Sequence, residues 1–147
     1  GWCYLASVMD LYTKKIVGFH FSKNIKTDII MRALNNAISS KTPNKGLIIH
    51  SDRGSQYTSN NYQDHVKKLG FKLSYSKKGC PYDNACIESF HASLKKELVY
   101  NTKYFNFKEA RLSLFEYIES FYNRIRIHSS LNYLSPNEFE MRYYNVS

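Results

Sequence analysis

A short apolar run, Leu47-Ile48-Ile49, stands between a helix-periodic segment and the turn Ser51-Asp52-Arg53-Gly54. With no alternation of apolar and polar residues, it reads as a strand buried on both faces, and such a strand needs helices packed against its sheet. That requirement selects an α/β arrangement. Upstream, Trp2 to Asp10 and Lys15 to Ser22 are aromatic and β-branched runs separated by Leu11-Tyr12-Thr13-Lys14, which predicts an antiparallel hairpin. From Thr27, a good N-cap, Ile29, Ile30, Ala33, Leu34, Ala37 and Ile38 recur with helical spacing as far as the loop 39–46. Ser59 caps a further helix ending near Gly70, and Phe71 to Tyr75 is another strand. Helices are predicted from about Asp83 to Tyr100 and from about Lys108 to Asn123, with a short one after Ser135-Pro136, where the missing proline N–H costs nothing. No repeat, low-complexity segment or long linker divides the chain, so residues 1–147 are read as one domain.

Composition narrows the function classes. Hydrophobic residues are 43% and aromatics 16%, too apolar for a disordered polyelectrolyte. The longest apolar stretch, Trp2 to Ala6, is far short of a membrane span, and with no basic segment leading into an apolar one no secretory signal is expected. Cys3, Cys80 and Cys86 are odd in number and form no C-x-x-C pair, which argues against disulfides and zinc and fits a reducing cytoplasm. The net charge is +9, with +5 carried by residues 1–50, +3 by 51–100 and +1 by 101–147. Such a basic domain usually meets a polyanion, and nucleic acid is the commonest one. The first residue is Gly1, and it runs directly into a strand pattern, as in a chain cut from something longer.

Two carboxylates stand out. Asp52 follows the apolar run at the open end of a strand, where α/β sheets collect ligands, although an Asp before Arg-Gly is also a common turn former. Glu88 lies on a helix whose buried stripe is Ile87, Phe90, Leu94 and Leu98, and it shares the flank of that stripe with Asn84, His91 and Lys95. From that boundary Glu88 can reach a cation at the sheet end, while Asn84 and Lys95 meet something anionic beside it. Asp10 reads as a hairpin-turn residue and Asp83 as an N-cap.

The segments His50-Ser51-Asp52-Arg53-Gly54-Ser55-Gln56-Tyr57 and Gly79-Cys80-Pro81-Tyr82-Asp83-Asn84-Ala85-Cys86-Ile87-Glu88-Ser89-Phe90 closely resemble the integrase core of bacterial insertion-sequence transposases. Thirty-five residues separate Asp52 from Glu88, the interval between the second and third acidic residues of that transposase and retroviral-integrase superfamily. Tyr122-Asn123, Arg126, His128, Leu131 and Tyr133 to Pro136 resemble its C-terminal signature, with Asn132 where Gly is usual. The resemblance implies a ribonuclease-H-like mixed sheet with flanking helices. It also implies DNA cleavage and strand transfer with two divalent ions, Mg²⁺ or Mn²⁺, held by three acidic residues. Asp52 matches the second of them and Glu88 the third.

The first acidic residue would sit on a strand ahead of Trp2, so the core is read as N-terminally truncated. In the implied strand order that strand lies between 2–10 and 46–50, leaving a slot in the sheet, weak metal binding and an inactive fragment. The implied partners are DNA (transposon ends and target), further copies of the chain, and a helix-turn-helix segment of the same element. Arg53, Lys77, Lys78, Asn84, Lys95, Lys96, Arg124 and Arg126 are the candidate DNA contacts, expected to position phosphates rather than read bases. Tyr122 and Tyr133 are expected to pack in the core. The alternative is a non-catalytic DNA-binding or assembly fragment of a transposase.

Overall fold

The computed structural model describes residues 3–25, 27–77, 84–99 and 103–144. Its elements are β1 (Tyr4–Met9), β2 (Ile16–Ser22), α1 (Thr27–Ser40), β3 (Ile48–Ser51), α2 (Ser55–Thr58), α3 (Asn60–Lys68), β4 (Lys72–Tyr75), α4 (Ala85–Glu97), α5 (Phe107–Glu116) and α6 (Pro136–Phe139). The chain forms two compact units. One comprises residues 1–8 and 17–88, the other 9–16 and 89–147.

In the first unit, β1 and β2 pair with each other, and six connecting residues are too few for a parallel crossover, so the pair is antiparallel as expected. Strands β3 and β4 pair in parallel, Ile48 opposite Lys72 through Ser51 opposite Tyr75, across a crossover that contains α3. Ser59 caps α3 by accepting from Tyr62 N at 3.3 Å. At its other end Gly70, at φ +82°, donates to Lys67 O while Phe71 N reaches Val66 O, a Schellman closure that turns the chain into β4. Ala6, Ile29, Ile30, Ala33, Leu34, Tyr62, Val66 and Phe71 form the core, with Ile49 and Leu73 packed against it. Helix α1 lies so close to β2 that a Cβ on Gly18 would collide with Ala33 O and with the backbone N and Cβ of Ala37. Asn36 Nδ2 and Ser40 Oγ donate from the same helix to Phe19 O and Val17 O.

The two ladders are separate, and among the described residues no pairing joins β1 to β3. The exposure of β3 corrects one expectation. Leu47 and Ile48 are not buried: Ile48, 64% exposed, lies on the face of β3 opposite Ile49, which packs on the core, and Leu47 precedes the strand.

The second unit holds irregular chain by buried polar groups. Asp10 Oδ1 accepts from Tyr12 N at 2.9 Å and Thr13 N at 3.4 Å, the turn role read from sequence. The buried Asn123 amide is bidentate to Ile16: its Oδ1 accepts from Ile16 N and its Nδ2 donates to Ile16 O, both at 2.9 Å. Phe90, Leu94, Leu114, Tyr117, Ile118, Tyr122 and Leu131 are buried here, with the Phe90 and Tyr122 rings 4.8 Å apart. The helix expected to run from Lys108 to Asn123 widens after Glu116 into a π-helical turn, Tyr117–Tyr122, in which Asn123 N bonds back to Ile118 O. Ser135 and Glu138 close a reciprocal capping box on α6. Tyr133 departs from expectation. It follows Asn132 with both residues at positive φ, +62° and +56°, so the chain turns its ring outward and leaves it 68% exposed.

Candidate active site

Asp52 is the first residue beyond β3, and its side chain is exposed. Its Oδ1 accepts from Gly54 N at 2.8 Å, while Ser51 Oγ donates to the Asp52 carbonyl at 2.9 Å. The carboxylate is therefore fixed at the C-terminal end of a parallel strand, where ligands gather in such sheets. Arg53 donates from Nε to Ser76 O at 2.9 Å, with its guanidinium 5.9 Å from the Tyr75 ring centre. The Tyr75 hydroxyl donates to Tyr57 O, and burial, then the Asp52 charge, push the Tyr57 phenol upward.

Glu88 stands exposed in the first turn of α4, within the same unit as Asp52. One turn before it, Asn84 donates from Nδ2 to Ser76 Oγ at 2.6 Å. Ser76 follows β4 directly and extends the parallel ladder by donating from its backbone N to Ser51 O at 3.0 Å. The Asp52 turn and the start of the Glu88 helix thus converge on adjacent ends of β3 and β4. Sequence reasoning missed His50, Ser74 and Ser76: His50 Nδ1 lies 2.8 Å from Ser74 Oγ, and Nε2 lies 3.1 Å from Ser76 Oγ. Their separations of 24 and 26 residues follow no helical or strand period, and the parallel register that joins them is not written in either segment.

Among the described residues no group of three or more His, Cys, Asp or Glu gathers as a metal cluster. The chemistry of the pair nonetheless suits a hard divalent cation, since Mg²⁺ is commonly held by one or two carboxylates with water and phosphate oxygens completing its shell.

The other predicted contacts divide. Lys77 is exposed beside Ser76, while Lys78 and the expected cap Asp83 lie outside the described residues. Lys95 and Lys96 are exposed in the last turn of α4, where cations suit the helix dipole, and Arg124 is exposed as well. Arg126 is engaged internally: Nε lies 3.1 Å from both Glu97 oxygens, and Nη2 lies 3.3 Å from Ser93 Oγ. Burial raises the Glu97 carboxyl, but hydrogen bonds from Arg126 and Tyr117 outweigh it and hold the group below the ordinary range. His91 is lowered by burial and then by Lys95. His128 is pushed down to about 4 by burial, with Arg126 and Lys14 adding to it.

Residues 1–81 match the family model described as integrase core domain, and a second integrase core domain model matches residues 69–136. The chain is 42% identical over 140 residues to the transposase for insertion sequence element IS904 of Lactococcus lactis, covering 95% of this chain and 55% of that protein. It is 41% identical over 140 residues to transposase InsF for insertion sequence IS3A of Escherichia coli, covering 95% and 49%. The chain therefore spans about half the length of these curated relatives. Among solved structures it resembles a chain of the simian T-cell lymphotropic virus intasome, solved in complex with PP2A regulatory subunit B56 gamma, at TM-score 0.71 and 15% identity, covering 92% of this chain and 47% of that one. It also resembles the catalytic core domain of BIV integrase at TM-score 0.66 and 17% identity, covering 95% and 86%. These likenesses bear out the expected ribonuclease-H-like α/β class.

Proposed function

The chain belongs to the integrase core domain family, and from that premise we propose that it forms most of the catalytic core of an insertion-sequence transposase, acting in cleavage and strand transfer of DNA. One observation supports this reading above others: two exposed carboxylates at the family's spacing share one unit, Asp52 directly after β3 and Glu88 in the first turn of α4, and their segments are linked through Ser76 and Asn84. Divalent ions, Mg²⁺ or Mn²⁺, supply Lewis acidity toward phosphodiester oxygens when bound. Asp52 and Glu88 are the residues that would hold them. Arg53 and Lys77 of the first unit, and Lys95, Lys96 and Arg124 of the second, would position phosphates, a sequence-independent role suited to an excess of cations. Arg126, tied to Glu97, would shape the second unit rather than contact DNA, and Asn84 would act through Ser76.

The partners on this reading are transposon-end and target DNA, further copies of the chain and a helix-turn-helix segment of the same element. Two carboxylates are one short of the family's set, so residues 1–147 are expected to bind DNA and to lack strand-transfer activity alone. The β1–β2 and β3–β4 ladders, which no pairing joins among the described residues, suit a further strand carrying the third carboxylate. A second reading, a DNA-binding or assembly module without catalysis, is suited by the net charge of +9.

One assay separates the two. A chain extended upstream by roughly 15 family-like residues, enough for one strand and its turn, is expected to gain Mn²⁺-dependent strand transfer that Asp52→Asn or Glu88→Gln abolishes. Activity that survives either substitution, or an extended chain that binds DNA and never joins it, overturns the catalytic reading.

A further inference from the structure

Ser76 is buried, 6% exposed, and its one hydroxyl meets three segments: Asn84 Nδ2 at 2.6 Å, His50 Nε2 at 3.1 Å and Ser51 O at 3.3 Å. All these contacts and the Ser74 contact are satisfied together when the His50 proton sits on Nε2. Ser76 then donates to Ser51 O and accepts from both Asn84 and His50, and His50 Nδ1 accepts from Ser74. His50 and Ser51 are the two residues immediately before Asp52, and Asn84 lies one helical turn before Glu88 on the same face.

We propose that Ser76, with Asn84 and His50, forms a positioning joint that sets the separation of Asp52 and Glu88 and so governs how well the pair holds a divalent cation. The inference rests on the metal-binding reading of those two carboxylates. Neither Asn84 nor His50 needs to touch the ion. Asn84 holds the first turn of α4 against the end of β4, and His50 together with the Ser51 carbonyl holds the end of β3 against the same hydroxyl. A shared hydroxyl makes the contributions interdependent, because removing it leaves the Asn84 and His50 nitrogens without that partner at once.

The test is Mn²⁺ titration of residues 1–147 followed by electron paramagnetic resonance of the free ion, alongside thermal melts. Ser76→Ala and Asn84→Ala are each expected to weaken Mn²⁺ binding about tenfold, the lower end of what loss of the groups supporting a metal site costs. The double variant should be no weaker than either single one, and Ser76→Thr, which keeps the hydroxyl, should retain binding. Gly18→Ala, which disturbs the fold away from the joint, should lower the melting temperature and leave the affinity unchanged below it. Unchanged affinity in Ser76→Ala and Asn84→Ala, or full additivity in the double variant, overturns the joint. Should Ser76→Ala fail to fold, the half-buried Asn84→Ala decides alone. Mn²⁺ binding that survives Asp52→Ala overturns the metal-site reading instead, a result distinguishable from failure of the joint.

Discussion

The two units put their buried polar side chains to different uses. The first buries an apolar core running from Ala6 to Phe71, adds the buried hydroxyls of Ser51 and Ser76, and leaves Asp52 and Glu88 exposed. The second sets Thr13, Asn123 and Ser135 among its buried aromatics, each bonded to backbone that helix or sheet does not serve. Regular secondary structure satisfies its own backbone, so the first unit can leave carboxylates for chemistry, whereas irregular chain must spend buried side chains on holding itself together.

The sharpest way to break this contrast is Asn123→Ala. It strips both partners from the Ile16 backbone in a buried place, at a cost of about 3 kcal/mol or more, with a fall of roughly 10 °C in melting temperature. Mn²⁺ affinity measured below the transition should hold, and a change under 1 kcal/mol in chemical denaturation contradicts the role given to this amide.

Gly18→Ala probes the first unit by packing. Forcing Cβ onto the α1 backbone should cost about 1–3 kcal/mol, read from the denaturation midpoint, and a neutral outcome means that α1 and β2 approach less closely than described.

Next in size is DNA affinity. Lys95→Glu combined with Lys96→Glu should weaken binding on every sequence alike and reduce the salt slope by about 2, measured by fluorescence anisotropy between about 50 and 200 mM salt. Binding that ignores salt, or a strong preference for one duplex, contradicts phosphate-dominated contact.

The acid-side effects belong to the second unit. His128 titrates lower folded than unfolded, so the unfolded chain binds the extra proton and stability falls as pH drops from 6.5 toward about 4. Glu97 is also depressed, so its contribution is present above the ordinary value of 4.5 and is lost as pH falls below it through the folded value. His128→Gln should flatten the first interval of the stability profile and Glu97→Gln the second. The Glu97 step stays below about 1 kcal/mol because the pair with Arg126 is partly solvated.

Much of this was legible in local pattern. The α1 stripe, the Asp10 turn, the Gly70 closure and the Ser135 cap each rest on residues a few positions apart, and all appear where those residues dictate. What could not be read depends on distant partners. Leu47 and Ile48 look buried by composition, but burial is decided by what packs on the strand. The Asn123 clasp spans 107 residues, and the Arg126 ion pair with Glu97 spans 29. Tyr133 lies outside the core because two successive positive φ values, tolerated at Asn132 more readily than at Tyr133, reverse the direction of its ring. At the site, Asp52 and Glu88 were picked out by spacing and resemblance, whereas the hydroxyl between their segments belongs to a serine in no motif.

On this reading Asp52, directly after β3, and Glu88, in the first turn of α4, act as one cation site. Paramagnetic broadening of backbone amide signals by substoichiometric Mn²⁺ tests it residue by residue in ¹⁵N-labelled protein. The account requires broadening centred on residues 52–54 and 84–88 that disappears in Asp52→Ala. Broadening centred elsewhere, such as around Asp64 and His65, or a pattern unchanged by Asp52→Ala, would contradict it.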